Sequence, residues 1–137
     1  MRSRSPFPWQ GLGRDARERA RLRLVELACE IAVLTALMHE DLAPFSRHPL
    51  AREFERAGWE HRRVALDLLS PEMSFESFTR EQLSASADSF AHRLQDVRYL
   101  LGRVSTFLLA RRASALSLTD LAPSPAGIAA PRPRSAA

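Results

Sequence analysis

The sequence predicts an all-α fold: an antiparallel helical bundle of three long helices with coiled-coil-like packing, or of four helices if the last one is broken at Gly102. Apolar residues recur at steps of three and four over long segments, and no segment shows the alternation that is typical of strands. Glycine and proline cluster at the ends of the chain and between the periodic segments. We expect a flexible basic arm over residues 1–14, a helical bundle domain over residues 15–120, and a disordered tail rich in Pro, Ala and Arg over residues 121–137.

The first helix is expected to start at Asp15 and to run to about Asp41. Asp15 and Glu18 have the spacing of a capping box, and both place negative charge at the positive end of the helix dipole. The apolar residues of one face are Leu24, Leu27, Ile31, Leu34 and Met38. A second face consists of small residues that let another helix approach closely: Val25, Cys29, Ala32 and Ala36. We therefore expect this helix to be covered from at least two sides.

The second helix is expected to run from Pro49 to about Leu69, because proline suits the first turn of a helix. Its apolar side follows the steps of a heptad through Leu50, Phe54, Ala57, His61, Val64 and Leu68. His61 lies in that row, where a metal ligand or a general base is one interpretation. The simpler interpretation is a neutral histidine that hydrogen-bonds to a neighbouring helix. The Glu-x-x-His spacing of metal-binding bundles is absent from the sequence, so no metal or other cofactor is expected.

The third helix has the clearest start signal in the chain. Thr79 and Gln82 form a capping-box pair, and Phe78 before the cap can pack onto Leu83. The steps of four and three then continue through Leu83, Ala87, Phe90, Leu94, Val97, Leu101, Val104 and Leu108. Because the phase is kept at Gly102, we favour one helix to about Leu116. A stop at Gly102, with a fourth helix starting near Ser105, is the alternative.

These lengths predict an exposed apolar surface. At about 1.5 Å per residue the helices would be roughly 40, 30 and 57 Å long, so we expect the second half of the third helix to expose Phe107, Leu108 and Leu109. Trp59 and Leu66 lie away from the apolar row of the second helix, and tryptophan beside arginine is typical of interfaces. The predicted partner-binding residues are Cys29, Ala32, Ala36, Trp59, Leu66, Phe107 and Leu108. We expect a second copy or another protein as the partner, and no small-molecule substrate.

The charge distribution suggests an alternative function. The chain has 20 residues of the Lys and Arg types, all of them arginine, and a net charge of +4 that is concentrated at both ends. Basic ends favour salt-sensitive binding to nucleic-acid backbones without sequence preference. The residues expected to make these contacts are Arg14, Arg17, Arg21, Arg132 and Arg134.

A second alternative comes from "MHEDLAPF", residues 38 to 45, which resembles the phosphoacceptor box of sensor histidine kinases. His39 is followed by Glu40, and Pro44 comes five residues after the histidine. The resemblance implies that His39 would be phosphorylated, within a helical hairpin that dimerises into a four-helix bundle. The corresponding function is a histidine phosphotransfer module.

Several other classes are excluded by what the sequence lacks. There is no nucleophilic triad, glycine-rich phosphate loop or set of paired zinc ligands, so we expect no enzyme. The most apolar stretch is too short to cross a bilayer, and the single cysteine suits a reducing compartment, so we expect a cytoplasmic location and no membrane contact. The function that the sequence favours is a non-catalytic helical adaptor or assembly subunit that acts through protein–protein contacts.

Overall fold

The computed structural model describes residues 8–121, and the side chains of residues 15–116. It contains three helices, α1 (Pro8–Leu42), α2 (Pro49–Leu68) and α3 (Arg80–Leu121), with a short 3-10 turn at Ala43–Phe45 after α1. No strand occurs in residues 8–121, which confirms the all-α fold class. The chain divides into two compact units, Met1–Gly102 and Arg103–Ala137. Of the predicted flexible arm (residues 1–14) and disordered tail (residues 121–137), residues 1–7 and 122–137 lie outside the described residues.

In the first unit the helices alternate in direction around one apolar core. α1 and α2 are antiparallel, since His39 faces Glu55 and the Ala32 carbonyl faces Arg62. α3 runs parallel to α1, because Arg23 pairs with Asp88 and Glu30 pairs with Arg98. All three helices contribute to the core cluster, which consists of Leu24, Ala28, Ile31, Ala65, Leu83, Ala87, Phe90, Leu94 and Val97. The predicted antiparallel bundle is confirmed.

The start of α1 differs from the prediction. The helix begins at Pro8, seven residues before the expected cap at Asp15. Proline is favoured in a first turn because its missing N–H would have no helical partner there. The carboxylate of Glu18 accepts hydrogen bonds from Arg21 one turn later, so it does not reach back to a backbone N–H at Asp15. The predicted capping box is therefore wrong.

The buried face of α1 is rotated from the predicted one. Leu27 and Leu34, which were expected in the core row, are only half-buried. The buried positions, from here on the inner row, are Leu24, Ala28, Ile31, Thr35, Met38 and Leu42. Thr35 tolerates burial because its hydroxyl donates to the Ile31 carbonyl at 2.7 Å, which satisfies the polar group within the helix.

The start of α2 at Pro49 is confirmed, with His48 as the N-cap. His48 Nδ1 accepts a hydrogen bond from the Leu50 N–H at 3.1 Å. The buried residues of this helix are Ala51, Phe54, Gly58 and Ala65. The predicted row is therefore only partly right: Phe54 is buried, while Leu50 and Val64 are half-buried and Ala57 is exposed.

Gly58 explains why α2 is rotated in this way. A Cβ added at Gly58 would lie 2.0 Å from Met38 Cε, and 3.9 Å from Leu100 Cδ2. The missing side chain lets the α2 backbone lie against Met38 of α1 and near Leu100 of α3. The side of α2 that carries glycine and alanine thus packs inward, in place of the side with the larger residues.

The start of α3 matches the prediction. The Gln82 N–H donates to Thr79 Oγ1 at 3.1 Å, and the Thr79 N–H donates to Gln82 Oε1 at 2.9 Å, which is a reciprocal capping box. The loop before it is fastened to α1 by Arg17, whose Nε donates to the Phe78 carbonyl at 2.9 Å and whose Nη2 donates to the Phe75 carbonyl. The rings of Phe75 and Phe78 pack edge to face, with centroids 5.9 Å apart.

α3 passes through Gly102 without a break, as favoured from the sequence, and a Cβ built at Gly102 would meet nothing within 4 Å beyond the adjacent residues and backbone of its own helix. The expected exposure of Phe107 is wrong, because this side chain is only 8% exposed. Phe107 comes one helical turn after Val104, on the buried face of α3. Leu109 points away from that face and is exposed, whereas Leu108 is half-buried.

Candidate functional site

His61 has the role of an interhelical polar contact. Its Nδ1 lies 3.2 Å from Nη1 of Arg93 on α3, and because a guanidinium only donates, Nδ1 must be the acceptor. Partial burial and, next, the positive charge of Arg93 lower the pKa of His61, so the neutral ring is favoured. The hydrogen bond to a neighbouring helix that was predicted from the heptad row is thereby confirmed. Among the described residues no group of three or more His, Cys, Asp or Glu could hold a metal ion.

An open groove of about 530 Å³ lies between the beginnings of α1 and α3. Most of its charged side chains pair with one another: Arg23 Nη1 lies 3.1 Å from Asp88 Oδ1, and Arg80 Nη2 lies 3.2 Å from Glu81 Oε2. These pairs are exposed to solvent and their charges are mutually compensated. The groove therefore does not present a set of buried, unpaired groups of the kind that catalysis uses.

Most of the exposed large apolar side chains of the first unit lie on the outward sides of α1 and α2. On α1 they belong to an outer row opposite the inner row: Leu22, Glu26, Cys29, Val33, Ala36, Leu37 and Glu40. On α2 they belong to a second outer row: Arg52, Arg56, Trp59, Arg63 and Leu66. We call these two rows together the outer surface.

The two outer rows lie side by side. His39 Nδ1 is 2.5 Å from Glu55 Oε2, and Arg62 Nη1 donates to the Ala32 carbonyl at 2.9 Å. A step of seven residues back along α1 is thus matched by seven residues forward along α2. By the same register, Trp59 lies level with Thr35, and Leu66 lies level with Ala28. The exposed apolar side chains of the two helices therefore lie on neighbouring rows at known positions along the helix axis.

Leaving the apolar side chains of the outer surface in contact with water is unfavourable in free energy. Trp59 is 60% exposed and Val33 is 57% exposed, and Leu37 and Leu22 are about half exposed. Full burial of a side chain of the Val, Leu or Phe type contributes about 1.5–3 kcal/mol. Contiguous apolar patches of this kind mark interaction sites more often than isolated exposed leucines do.

The charges on the outer surface are divided between its two helices. On α1, Glu26 and Glu40 are exposed and have no ion-pair partner within residues 15–116. On α2, neither Arg52 nor Arg56 has an ionic partner in the same described range. Arg63 differs, since it pairs with Glu60 and Asp67 of its own helix. The α1 side of the surface is therefore acidic and the α2 side is basic.

The structure brings four of the seven predicted partner-binding residues to this surface. Cys29, Trp59 and Leu66 are exposed on it, and Ala36 is half-buried between the two helices. Ala32 lies deeper, because it packs against the core cluster and its carbonyl accepts the bond from Arg62.

The remaining two predicted residues, Phe107 and Leu108, belong to the second unit. They are buried and half-buried, respectively, so neither is presented as openly as expected.

Sequence reasoning missed Leu22, Val33 and Leu37 as surface residues. The signal was present in a second heptad on α1, since Leu22, Cys29 and Ala36 are spaced by seven, as are Glu26, Val33 and Glu40. This second row was obscured because α1 is apolar around most of its circumference after Glu30.

The arginines predicted to bind nucleic acid have other contacts where the structure describes them. Arg17 donates to the loop carbonyls of Phe75 and Phe78, and Arg21 pairs with Glu18. The other three, Arg14, Arg132 and Arg134, lie outside the described side chains. His39, the residue of the phosphoacceptor-like box, is exposed near the end of α1 and faces the Glu55 carboxylate.

These features define an all-α helical bundle whose most distinctive site is an exposed apolar surface on two helices. No protein-family model, no curated protein and no solved structure matches the chain. In the described part of the chain, no helix contains an apolar stretch long enough to cross a membrane.

Proposed function

We propose that the protein is a non-catalytic assembly subunit or adaptor, and that it binds another protein chain through the outer surface of α1 and α2. The observation that carries the proposal is the second heptad row of α1, from Leu22 to Glu40, whose members other than Ala36 are exposed to solvent. A helix with one heptad row in the core and a second heptad row on its outer side has the pattern of a helix that packs against partners on both sides.

The composition of the α2 row supports the same function. Trp59 projects from the surface between Arg56 and Arg63, and tryptophan and arginine are enriched among the residues that dominate binding energy. The surface also combines an apolar centre with charges at its edges, which is the usual anatomy of a protein interface.

A test of the function compares two variants in the full chain. Val33→Glu places a charge in the middle of the outer surface, while Tyr99→Glu places the same charge at an exposed aromatic position on α3. The tagged chain is recovered from cells that express it, and the mass of every complex that contains it is measured by light scattering. We expect the wild type and Tyr99→Glu to form a protein complex that Val33→Glu does not form.

A matched unfolding curve serves as the control for folding. Val33 and Tyr99 are both exposed, so each substitution should change stability by no more than about 0.5 kcal/mol. A complex that survives Val33→Glu, in a chain that unfolds like the wild type, would contradict the proposed use of this surface.

The alternatives from the sequence stay predictions. Binding to nucleic acid would show as an affinity for DNA or RNA that falls steeply as the salt concentration rises. Phosphotransfer at His39 would show as labelling of the chain by a phosphodonor that is lost in His39→Ala. A cytoplasmic location likewise stays a prediction, which depends on Cys29 being a free thiol.

A further inference from the structure

We infer that the partner on the outer surface is a second copy of this chain, with α1 of each copy packed over α2 of the other. The two-fold axis would run parallel to the helices, so that the four helices form an antiparallel layered bundle. The inference rests on the proposed function, because it names the occupant of the same surface.

The division of charge selects this arrangement. A two-fold interface uses one patch on both copies, so the patch must complement itself. If α1 packed on α1, the unpaired carboxylates Glu26 and Glu40 would face the same row of acids. If α1 packs on α2 of the other copy, Glu40 faces Arg52 and Arg56 instead, and it does so twice. Like charges placed together across an interface are strongly unfavourable, so the second arrangement is preferred.

The positions along the helix axis agree with this pairing. Rotation about an axis parallel to the helices does not change the position of any residue along that axis. His39 lies level with Glu55 within one copy, so Glu40 is level with a point between Arg52 and Arg56. At about 1.5 Å per residue, Glu40 of the partner copy would lie within about 3 Å, along the axis, of both arginines.

The apolar residues match at the same register. Trp59 is level with Thr35, which places it within two residues, along the axis, of Val33, Ala36 and Leu37 of the partner copy. Leu66 is level with Ala28, which places it one residue, along the axis, from Cys29 of the partner copy. Each copy thus covers the exposed tryptophan and leucine of the other, and the small residues on α1 leave room for the Trp59 ring.

A second copy also satisfies a requirement that other partners would meet only by coincidence. Any occupant of this surface must present basic groups beside Glu40 and apolar groups beside Val33 at fixed heights. A second copy presents both because Arg52 and Arg56 are level with Glu40 in the same chain, and a two-fold axis parallel to the helices keeps those positions.

A charge-swap experiment tests the arrangement. One variant carries Glu40→Arg, and the other carries both Arg52→Glu and Arg56→Glu; all three positions are exposed. Mass is measured by sedimentation equilibrium at micromolar chain concentration. We expect the wild type at about twice 15.4 kDa, and each variant alone with dimerisation weakened by about tenfold or more, because two contacts in each dimer become repulsive. Mixing the variants in equal amounts should restore the dimer, since both contacts in the mixed pair are again between opposite charges.

The outcomes separate this inference from the proposed function. Recovery of the dimer in the mixture supports the packing of α1 over α2. A wild-type dimer that neither variant weakens, or two weakened variants that do not recover on mixing, would overturn that packing. A monomeric wild type that still forms complexes sensitive to Val33→Glu would overturn the second copy as partner and leave the proposed function standing. A monomeric wild type with no complex of that kind would remove both.

Discussion

The two faces of α1 carry similar patterns and have opposite environments. The inner row, Leu24 to Leu42, and the outer row, Leu22 to Glu40, both advance by steps of four and three. The inner row is buried to 2% exposure or less, whereas Val33 and Leu37 of the outer row are at least half exposed. Periodicity therefore indicates that a face can pack, but not whether its partner lies in the same chain. The difference shows where to expect a contact that one chain alone does not make.

The largest effect expected from this comparison is on the free energy of unfolding. Ile31 is fully buried in the core cluster, and Ile31→Ala should destabilise the monomer by about 2–5 kcal/mol through lost burial and a cavity. Val33→Ala on the outer row should change the same quantity by no more than about 0.5 kcal/mol. Urea unfolding at low chain concentration measures both. Equal losses for the two variants would mean that the faces are not different in the isolated chain.

A smaller effect is expected for two arginines on α1. Arg17 donates to two loop carbonyls, so Arg17→Ala should cost about 1–3 kcal/mol because partly buried acceptors lose a charged donor. Arg19 is exposed two residues later and makes no such contact with the loop, so Arg19→Ala is the matched control, with an expected change of no more than about 0.5 kcal/mol. Thermal unfolding of both variants distinguishes them. If Arg19→Ala were as costly as Arg17→Ala, the loop contact would not be the cause.

The smallest effect is a pH dependence that arises from His61. The folded state lowers the pKa of this ring, so the folded chain binds fewer protons than the unfolded chain near the ordinary value of 6.5. Stability from the neutral ring is fully present above about pH 6.5, and it is lost as the pH falls through the lowered value.

His61→Gln is the variant for this prediction, since glutamine can accept a hydrogen bond from Arg93 and does not titrate. Between about pH 7.5 and about pH 5, the wild type should lose more stability than His61→Gln in chemical denaturation. His92→Gln, at an exposed position on the outside of α3, is the control and should follow the wild type. If the free energy of unfolding changed equally with pH in the wild type and in His61→Gln, the contact of His61 with Arg93 would not be lowering the pKa of the ring.

Local signals in the sequence predicted the fold well where the cause is itself local. The capping box at Thr79 and Gln82 and the proline start of α2 need only neighbouring residues, and both are present in the structure. The continuity of α3 through Gly102 also follows from an unbroken apolar phase. The start of α1 was mispredicted because the acid at Glu18, which was assigned to a cap, binds Arg21 instead.

The rotation of each helix depended on contacts between distant residues. The buried side of α2 is decided at Gly58, where Met38 of α1 takes the space that a side chain would fill. No periodicity within α2 reports that contact, and Ala57 and Val64 were assigned to the core for this reason. The same limitation applies to Phe107. The regular heptad of α3 places Leu108 in the apolar row, and the structure instead buries Phe107, one position earlier.

The candidate surface was predicted in part. Cys29, Trp59 and Leu66 were identified from their position off the core rows, and the structure places them together. The division of charge between Glu40 and the arginines of α2 could not be found in the sequence, because it requires the register between two helices.

The most direct test of the central claim, that the outer row of α1 is a contact surface, uses the native chain without substitution. Cys29 is the only cysteine, it is exposed in the single chain, and it lies in the outer row. Its rate of reaction with a thiol reagent can be measured as the chain concentration is raised, alongside the mass of the protein. We predict that the rate falls in proportion to the fraction of chain in the dimer. A Cys29 rate that stays constant while the mass doubles would contradict the account.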